Sequence, residues 1–224
     1  MMKLYMHPAS TMCRPIMQFI ADNKIPVDMQ VVDIFTGEHM NAPFAAINPS
    51  KLIPVLEDGD FRLTECSAIL KYLADKINSP AYPKDLKQRA RVNEVMDWFN
   101  SQFYRDYGYG MIYPQLFPNL KRPNEEVHKG TIAWGKENAQ RWLQILNDHI
   151  LGKKKYLCGN DITIADYFGG SIIQVGEVIR CDFKAYPNIA RWLDTMKSMP
   201  SYPKVYETIH GFAASVKNQP FVAI

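Results

Sequence analysis

Short apolar runs alternate with helical stripes through the first third of the chain, and helical stripes fill the remainder. Lys3 to His7 is a short apolar run stopped by Pro8 and reads as a strand. From Cys13 to Lys24 the apolar positions Ile16, Phe19 and Ile20 fall on one helical face, with Pro15 tolerated in the first turn. Residues 26–34, carrying Val27, Met29, Val31 and Val32, predict a second strand, and residues 44–47 a helical turn. A hairpin over residues 53–64, turning at Asp58-Gly59, leads into a helix over residues 65–77. The order β-α-β-α-β-β-α combines a right-handed crossover with an antiparallel hairpin. It predicts a small mixed sheet with helices on both faces.

Beyond this the pattern changes. Residues 78–84, NSPAYPK, hold two prolines and read as a linker. Asp85 can cap a long helix running to about Gly108 or Gly110, and Pro123-Asn124 starts another that extends to Ile150. Thr163-Ile164-Ala165-Asp166 forms a capping-box variant with Asp at the third helical position, flanked by Ile162 and Tyr167 as a hydrophobic staple. Two further helices are expected over residues 187–199 and 203–216. The chain thus divides into an α/β half and an all-helical half.

The hairpin is the most chemically suggestive stretch. A proline inside a central strand would waste a ladder donor, so Pro54 belongs at the mouth of its strand. There it can be cis, at a cost of only about 0.5–1 kcal/mol. Such a bend turns the Ile53 backbone outward as an edge for an extended peptide. Glu65 falls in the first turn of the next helix, near N–H groups able to hold a carboxylate. A small acidic peptide is the guest this surface suits.

Composition narrows the function classes. A net charge of +3 is too small to argue for nucleic acid, and Lys153-Lys154-Lys155 reads as a solvated loop. No apolar run approaches the roughly 18 residues that span a membrane, and no signal-peptide pattern is read. Cys13, Cys66, Cys158 and Cys181 form no CxxC, so neither a disulfide framework nor a metal site is expected, and a reducing cytoplasm is the default.

The residues NPSKLIPVLEDGDFRLTE (48–65), AILKYL (68–73), DLKQRARVNEVMDW (85–98) and ITIADY (162–167) stand in an order and spacing that resemble the cytosolic glutathione S-transferases, closest to the theta class. The resemblance implies a thioredoxin-like, glutathione-binding domain over residues 1–80, an all-α domain over residues 86–224 that supplies an electrophile pocket, and a homodimer. It implies glutathione as cosubstrate with no tightly bound cofactor, and a role in detoxification. Ser10 matches the serine whose hydroxyl supports the glutathione sulfur. His39 matches a residue near the glycine end, Leu52 and Ile53 the backbone pair that grips the cysteinyl part, and Glu65 the acid at the γ-glutamyl end. Cys66 departs from the family's serine, and a thiol is the weaker donor. Ser67 is adjacent but is expected to point elsewhere on the helix.

These residues would stabilise the glutathione thiolate for attack on a small hydrophobic electrophile, with alkyl or aryl transfer, halide displacement or peroxide reduction as outcomes. Met12, Tyr104, Arg105 and Tyr107 are expected to line the electrophile pocket. Each residue also has a plainer reading. Ser10 can be a turn residue with Thr11 as a fallback hydroxyl, and Arg105 a surface ion pair. Cys13, at a helix start, is either a core residue or the nucleophile of a glutathione-disulfide exchange enzyme. Two non-enzymatic alternatives use the same fold: a binding protein for glutathione or hydrophobic ligands, and a dimerisation scaffold.

Overall fold

The computed structural model describes residues 1–224. Strand β1 (Met2–Met6) buries Met2, Leu4 and Met6, the alternation of a strand with one face on a core. It lies parallel to β2 (Val27–Val31) and antiparallel to β3 (Val55–Asp58), which pairs with β4 (Phe61–Thr64), giving the order β2-β1-β3-β4. Helix α1 (Arg14–Asp22) makes the crossover from β1 to β2, with Pro15 in its first turn. Helices α1 and α3 (Cys66–Lys76) pack together and bury Ile16, Phe19, Ile69 and Leu73 in the main core. Phe44 of α2 (Ala42–Ile47) packs with Val32 and Val55 in a separate small cluster.

Two local details differ from the pattern reading. The register pairs Asp58 with Phe61, so the hairpin turns at Gly59-Asp60 rather than Asp58-Gly59. Gly59, at φ +65°, takes the left-handed position that a tight hairpin requires. Glu65 is the cap before α3, at φ +69°, rather than a residue of its first turn.

After residue 65 every regular element is helical. Helix α4 (Leu86–Trp98) is capped by Asp85, which accepts from the Gln88 N–H at 2.9 Å. It does not stop at Gly108 or Gly110. Widened π-type turns at Phe99–Phe103 and Arg105–Ile112 carry it into α5 (Tyr113–Leu116). The glycine is needed for a crossing rather than a stop. A Cβ on Gly135, in α6 (Glu125–Ile145), would lie 2.5 Å from the Gly110 carbonyl carbon, so the two backbones touch where only glycines fit. Asn124 caps α6 by accepting from Val127 N–H at 2.8 Å. No helix is long and apolar enough to cross a membrane.

Helix α7 (Ile164–Gln174) has all 11 of its residues buried, so neighbours surround it on every side. Helices α1, α3, α4 and α8 (Pro187–Lys197) pack against it; α9 (Tyr202–Ser215) packs on α1 and on the 3₁₀ turn that follows α7. Its first turn is held by Asp166. That carboxylate accepts from Leu157 N–H and Thr163 N–H, both at 2.8 Å, and from Thr163 Oγ1 and Trp192 Nε1, both at 3.0 Å. Burial pushes its carboxyl up to about 6, and the four donors pull the other way. Asp166→Ala orphans these donors, each worth about 1–3 kcal/mol when buried and unpaired. Unfolding in urea should therefore show a stability loss of about 3 kcal/mol or more; a loss below about 1 kcal/mol would contradict this role.

Candidate active site

The loop between β1 and α1 is built by its own hydrogen bonds. Ala9 N–H donates to His7 Nδ1 at 3.1 Å, and Ser10 N–H to the His7 carbonyl at 2.9 Å. The Ser10 carbonyl accepts from Cys13 and Arg14 N–H, both at 3.2 Å, starting α1. Arg14 is fully buried, donates from Nη1 to the Ala9 carbonyl at 2.7 Å, and lies 5.3 Å from the Tyr206 ring centre. The Ser10 backbone is thus committed to the turn, while its side chain reaches a cavity of about 780 Å³ between the sheet half and the helical half.

The sheet half supplies Ser10, His39, Leu52, Ile53, Glu65 and Cys66 to the lining of that cavity. The Ile53–Pro54 bond is cis, and β3 begins at the next residue. Asn48 fixes the approach: its Nδ2 donates to the Leu52 carbonyl at 2.7 Å, and its Oδ1 accepts from Ser50 N–H at 3.0 Å. His39 Nδ1 is buried with no protein partner. Its position follows from the preceding turn, where Asp33 accepts from Phe35 N–H at 2.8 Å and Glu38 from Asp33 N–H at 2.7 Å. Glu65 is exposed to the cavity, whereas Cys66 is 4% exposed and burial pushes its thiol upward. Ser67, expected to point elsewhere on the helix, also lines the cavity.

The helical half supplies most of the rings in the lining. Met12, Tyr104 and Arg105 line the cavity, as does Tyr113. Tyr107 does not. It is fully buried and donates to the Ile173 carbonyl at 2.9 Å, because the helix turns this side chain toward α7. Arg105 pairs with the buried Asp106 at 2.7 Å, so its cation is already engaged at the rim. Phe35 meets Phe212 at 5.9 Å between ring centres, and Phe212 stacks on Phe117 at 6.4 Å, so rings from both halves meet in the lining.

Cys13 is fully buried, and its thiol is pushed up to about 11 by burial despite the nearby Ser10 hydroxyl. The loss of solvent outweighs the helix-start placement that would favour a thiolate.

Several lining residues escaped the sequence reading. Asn48-Pro49-Ser50 carries a side-chain turn signature that could have identified Asn48. Nothing local marks Phe35, Phe117 and Phe212 as neighbours.

Residues 1–75 match the family model for the glutathione S-transferase N-terminal domain, and residues 114–200 the model for its C-terminal domain. Human glutathione S-transferase theta-1 is 34% identical over 194 residues, covering 85% of this chain and 80% of the relative. The mouse theta-1 enzyme is 31% identical over 227 residues, covering 98% and 91%. A structure of human glutathione transferase theta-2 in complex with glutathione and an unknown ligand superimposes with a TM-score of 0.86 at 28% identity, covering 100% of this chain and 93% of that one. The apo human T1-1 structure gives 0.83 at 30% identity, covering 96% and 91%. The chain belongs to the glutathione S-transferase family and is similar to its theta members.

Proposed function

We propose that this chain is a glutathione transferase in which Ser10 supports the glutathione thiolate and the aromatic lining of the same cavity receives the electrophile. The observation that carries this reading is the make-up of one cavity: the sheet half lines it with Ser10, His39, Ile53 and Glu65, and the helical half mostly with rings and aliphatic side chains. Residues 1–80 would bind glutathione and residues 86–224 supply most of the electrophile wall. The γ-glutamyl ammonium would meet Glu65, its carboxylate the Cys66 N–H and the start of α3, and the glycine end His39. The cysteinyl backbone would pair with Ile53, whose N–H and C=O make no hydrogen bond inside the protein.

A free thiol of pKa about 8.5 is only a few per cent thiolate at pH 7. Lowering it by about two units stabilises the thiolate by roughly 2.7 kcal/mol. A hydrogen bond from the Ser10 hydroxyl to the sulfur contributes in that direction. The thiol proton leaves to solvent, the sulfur–carbon bond forms, and the leaving group departs with its bonding pair. Halide displacement and peroxide reduction are side activities of the same thiolate. Cytoplasmic placement and a role in clearing electrophiles belong to this proposal, as does a homodimer. Exposed Phe61, Leu86 and Trp134 offer apolar surface to a second copy. Light scattering at twice the 25.8 kDa chain mass would support the dimer; the single-chain mass would refute it.

Ser10→Ala should lower kcat/KM by about 10²-fold while glutathione still binds, the loss typical of one donor to a reacting anion. Unchanged turnover would remove Ser10 from that role. Cys66→Ser restores a stronger donor, and glutathione affinity by calorimetry should tighten about fivefold, or about 1 kcal/mol. Equal affinity would mean that Ser67 or the backbone already satisfies that end.

The disulfide-exchange alternative is tested by alkylation. Iodoacetamide at pH 7.5 should leave Cys13 unmodified in the folded protein and label it in denaturant. Cys13→Ala should keep glutathione-dependent turnover. Rapid labelling of native Cys13 would reinstate exchange chemistry.

A further inference from the structure

We propose that Thr11 is a second hydroxyl donor to the glutathione sulfur, held and polarised by the buried chain Tyr104–Tyr113–Thr11. The proposal rests on the assignment of Ser10 and glutathione to this cavity. It concerns residues contributed by both halves of the fold.

Tyr113 donates from its hydroxyl to Thr11 Oγ1 at 2.8 Å. The Tyr104 and Tyr113 hydroxyls are 2.6 Å apart. Since Tyr113 gives its only proton to Thr11, the short contact requires Tyr104 to donate to Tyr113. The proton count then leaves one donor over. Thr11 Oγ1 accepts from Tyr113, and its own O–H has no acceptor within the protein. A buried hydroxyl with an unused proton is costly unless something else receives it. Thr11 is 6% exposed, and it lines the cavity immediately after Ser10. The free O–H therefore has the cavity as its outlet.

Thr11 is also fixed independently of its side chain. Its carbonyl accepts from Ser171 Oγ of α7 at 2.7 Å, so the main chain is clamped by one helix and the hydroxyl by another. A donor pinned twice pays little reorganisation when a charge develops beside it. Hydroxyls in series strengthen one another, and a donor to an anion is roughly twice as strong as one to a neutral acceptor.

Among the other groups facing this chain, the Tyr109 hydroxyl also bonds Tyr104, so a second partner faces the Tyr104 end but none faces Thr11. From α1 the Arg14 guanidinium acts on both tyrosines and favours negative charge near them. Tyr109 packs on Tyr104 and Tyr113 at 5.2 and 5.1 Å between ring centres. Burial holds Tyr104 and Tyr113 in their neutral, donating forms, Tyr113 at about 12. Glu65 and His39 line the same cavity, and the buried Cys13 thiol lies beside Ser10. If the chain existed only to satisfy two buried tyrosines, it could end on any acceptor, and no hydroxyl proton would be left over.

The test is the midpoint at which bound glutathione becomes thiolate, read by ultraviolet absorption as pH is scanned with wild type, T11V, T11S and Y113F. Wild type should titrate well below the free thiol. T11V should raise the midpoint by about half to one pH unit, a threefold to tenfold loss of thiolate at a fixed low pH. T11S should stay at the wild-type value, because it keeps the hydroxyl. Y113F should move in the same direction as T11V by a smaller step, and it carries the test if T11V does not fold. A wild-type midpoint below that of the free thiol, with T11V or Y113F unchanged, overturns this proposal and leaves the Ser10 reading standing. A wild-type midpoint at the free-thiol value overturns both.

Discussion

The Asp166 carboxylate, removed from water and held by four donors, is the interaction on which the rest of the molecule depends. It joins the loop at Leu157, the start of α7 and Trp192 of α8 in one fully buried knot. Helix α7 is enclosed on every side, so its placement is the placement of the elements packed on it. Through Ser171 it grips the carbonyl of Thr11, and through its packing on α1 it fixes the helix whose first turn is started by Ser10. A structural acid in the helical half therefore sets the geometry of a loop more than 150 residues earlier in the chain (Thr11 to Ser171 spans 160 positions). Such a knot is satisfied only as a whole, since each orphaned donor would cost about 1–3 kcal/mol.

The same loss of solvent decides which groups near the site can react. Burial holds the Cys13 and Cys66 thiols in their neutral forms, and it keeps the tyrosine hydroxyls protonated as donors. The protein's own sulfur is thereby quiet, while the cavity remains open to a sulfur brought by a ligand. Hydroxyls suit that task because they donate without having to ionise. The two halves line the cavity with different chemistry. Backbone and carboxylate groups come from the sheet half, together with the Phe35 ring, and most rings come from the helical half, where shape and apolar contact dominate.

Much of this was legible locally. The β1 alternation, the stripe of α1, the caps at Asp85 and Asn124, the Thr163–Asp166 pair and the position of Pro54 all depend on residues within a few places of one another. The short-range chemistry of capping, turn formation and amphipathic periodicity is contained in such stretches, so the mixed sheet, the helical remainder and the turn at Ser10 follow from local residues. Gly110 misled because a glycine late in a helix signals a stop when read alone. Its partner is Gly135, and only their crossing reveals a close approach in place of an end. Tyr107 and Tyr113 show the same limit. They are tyrosines of one helix six positions apart, yet widened turns send one hydroxyl into the core and the other to Thr11. Helical pitch, interhelical distance and the direction of each side chain are settled by packing over the whole core, which no local window contains. Which hydroxyls meet, which thiols lose their solvent, and which rings line one cavity follow only from that packing.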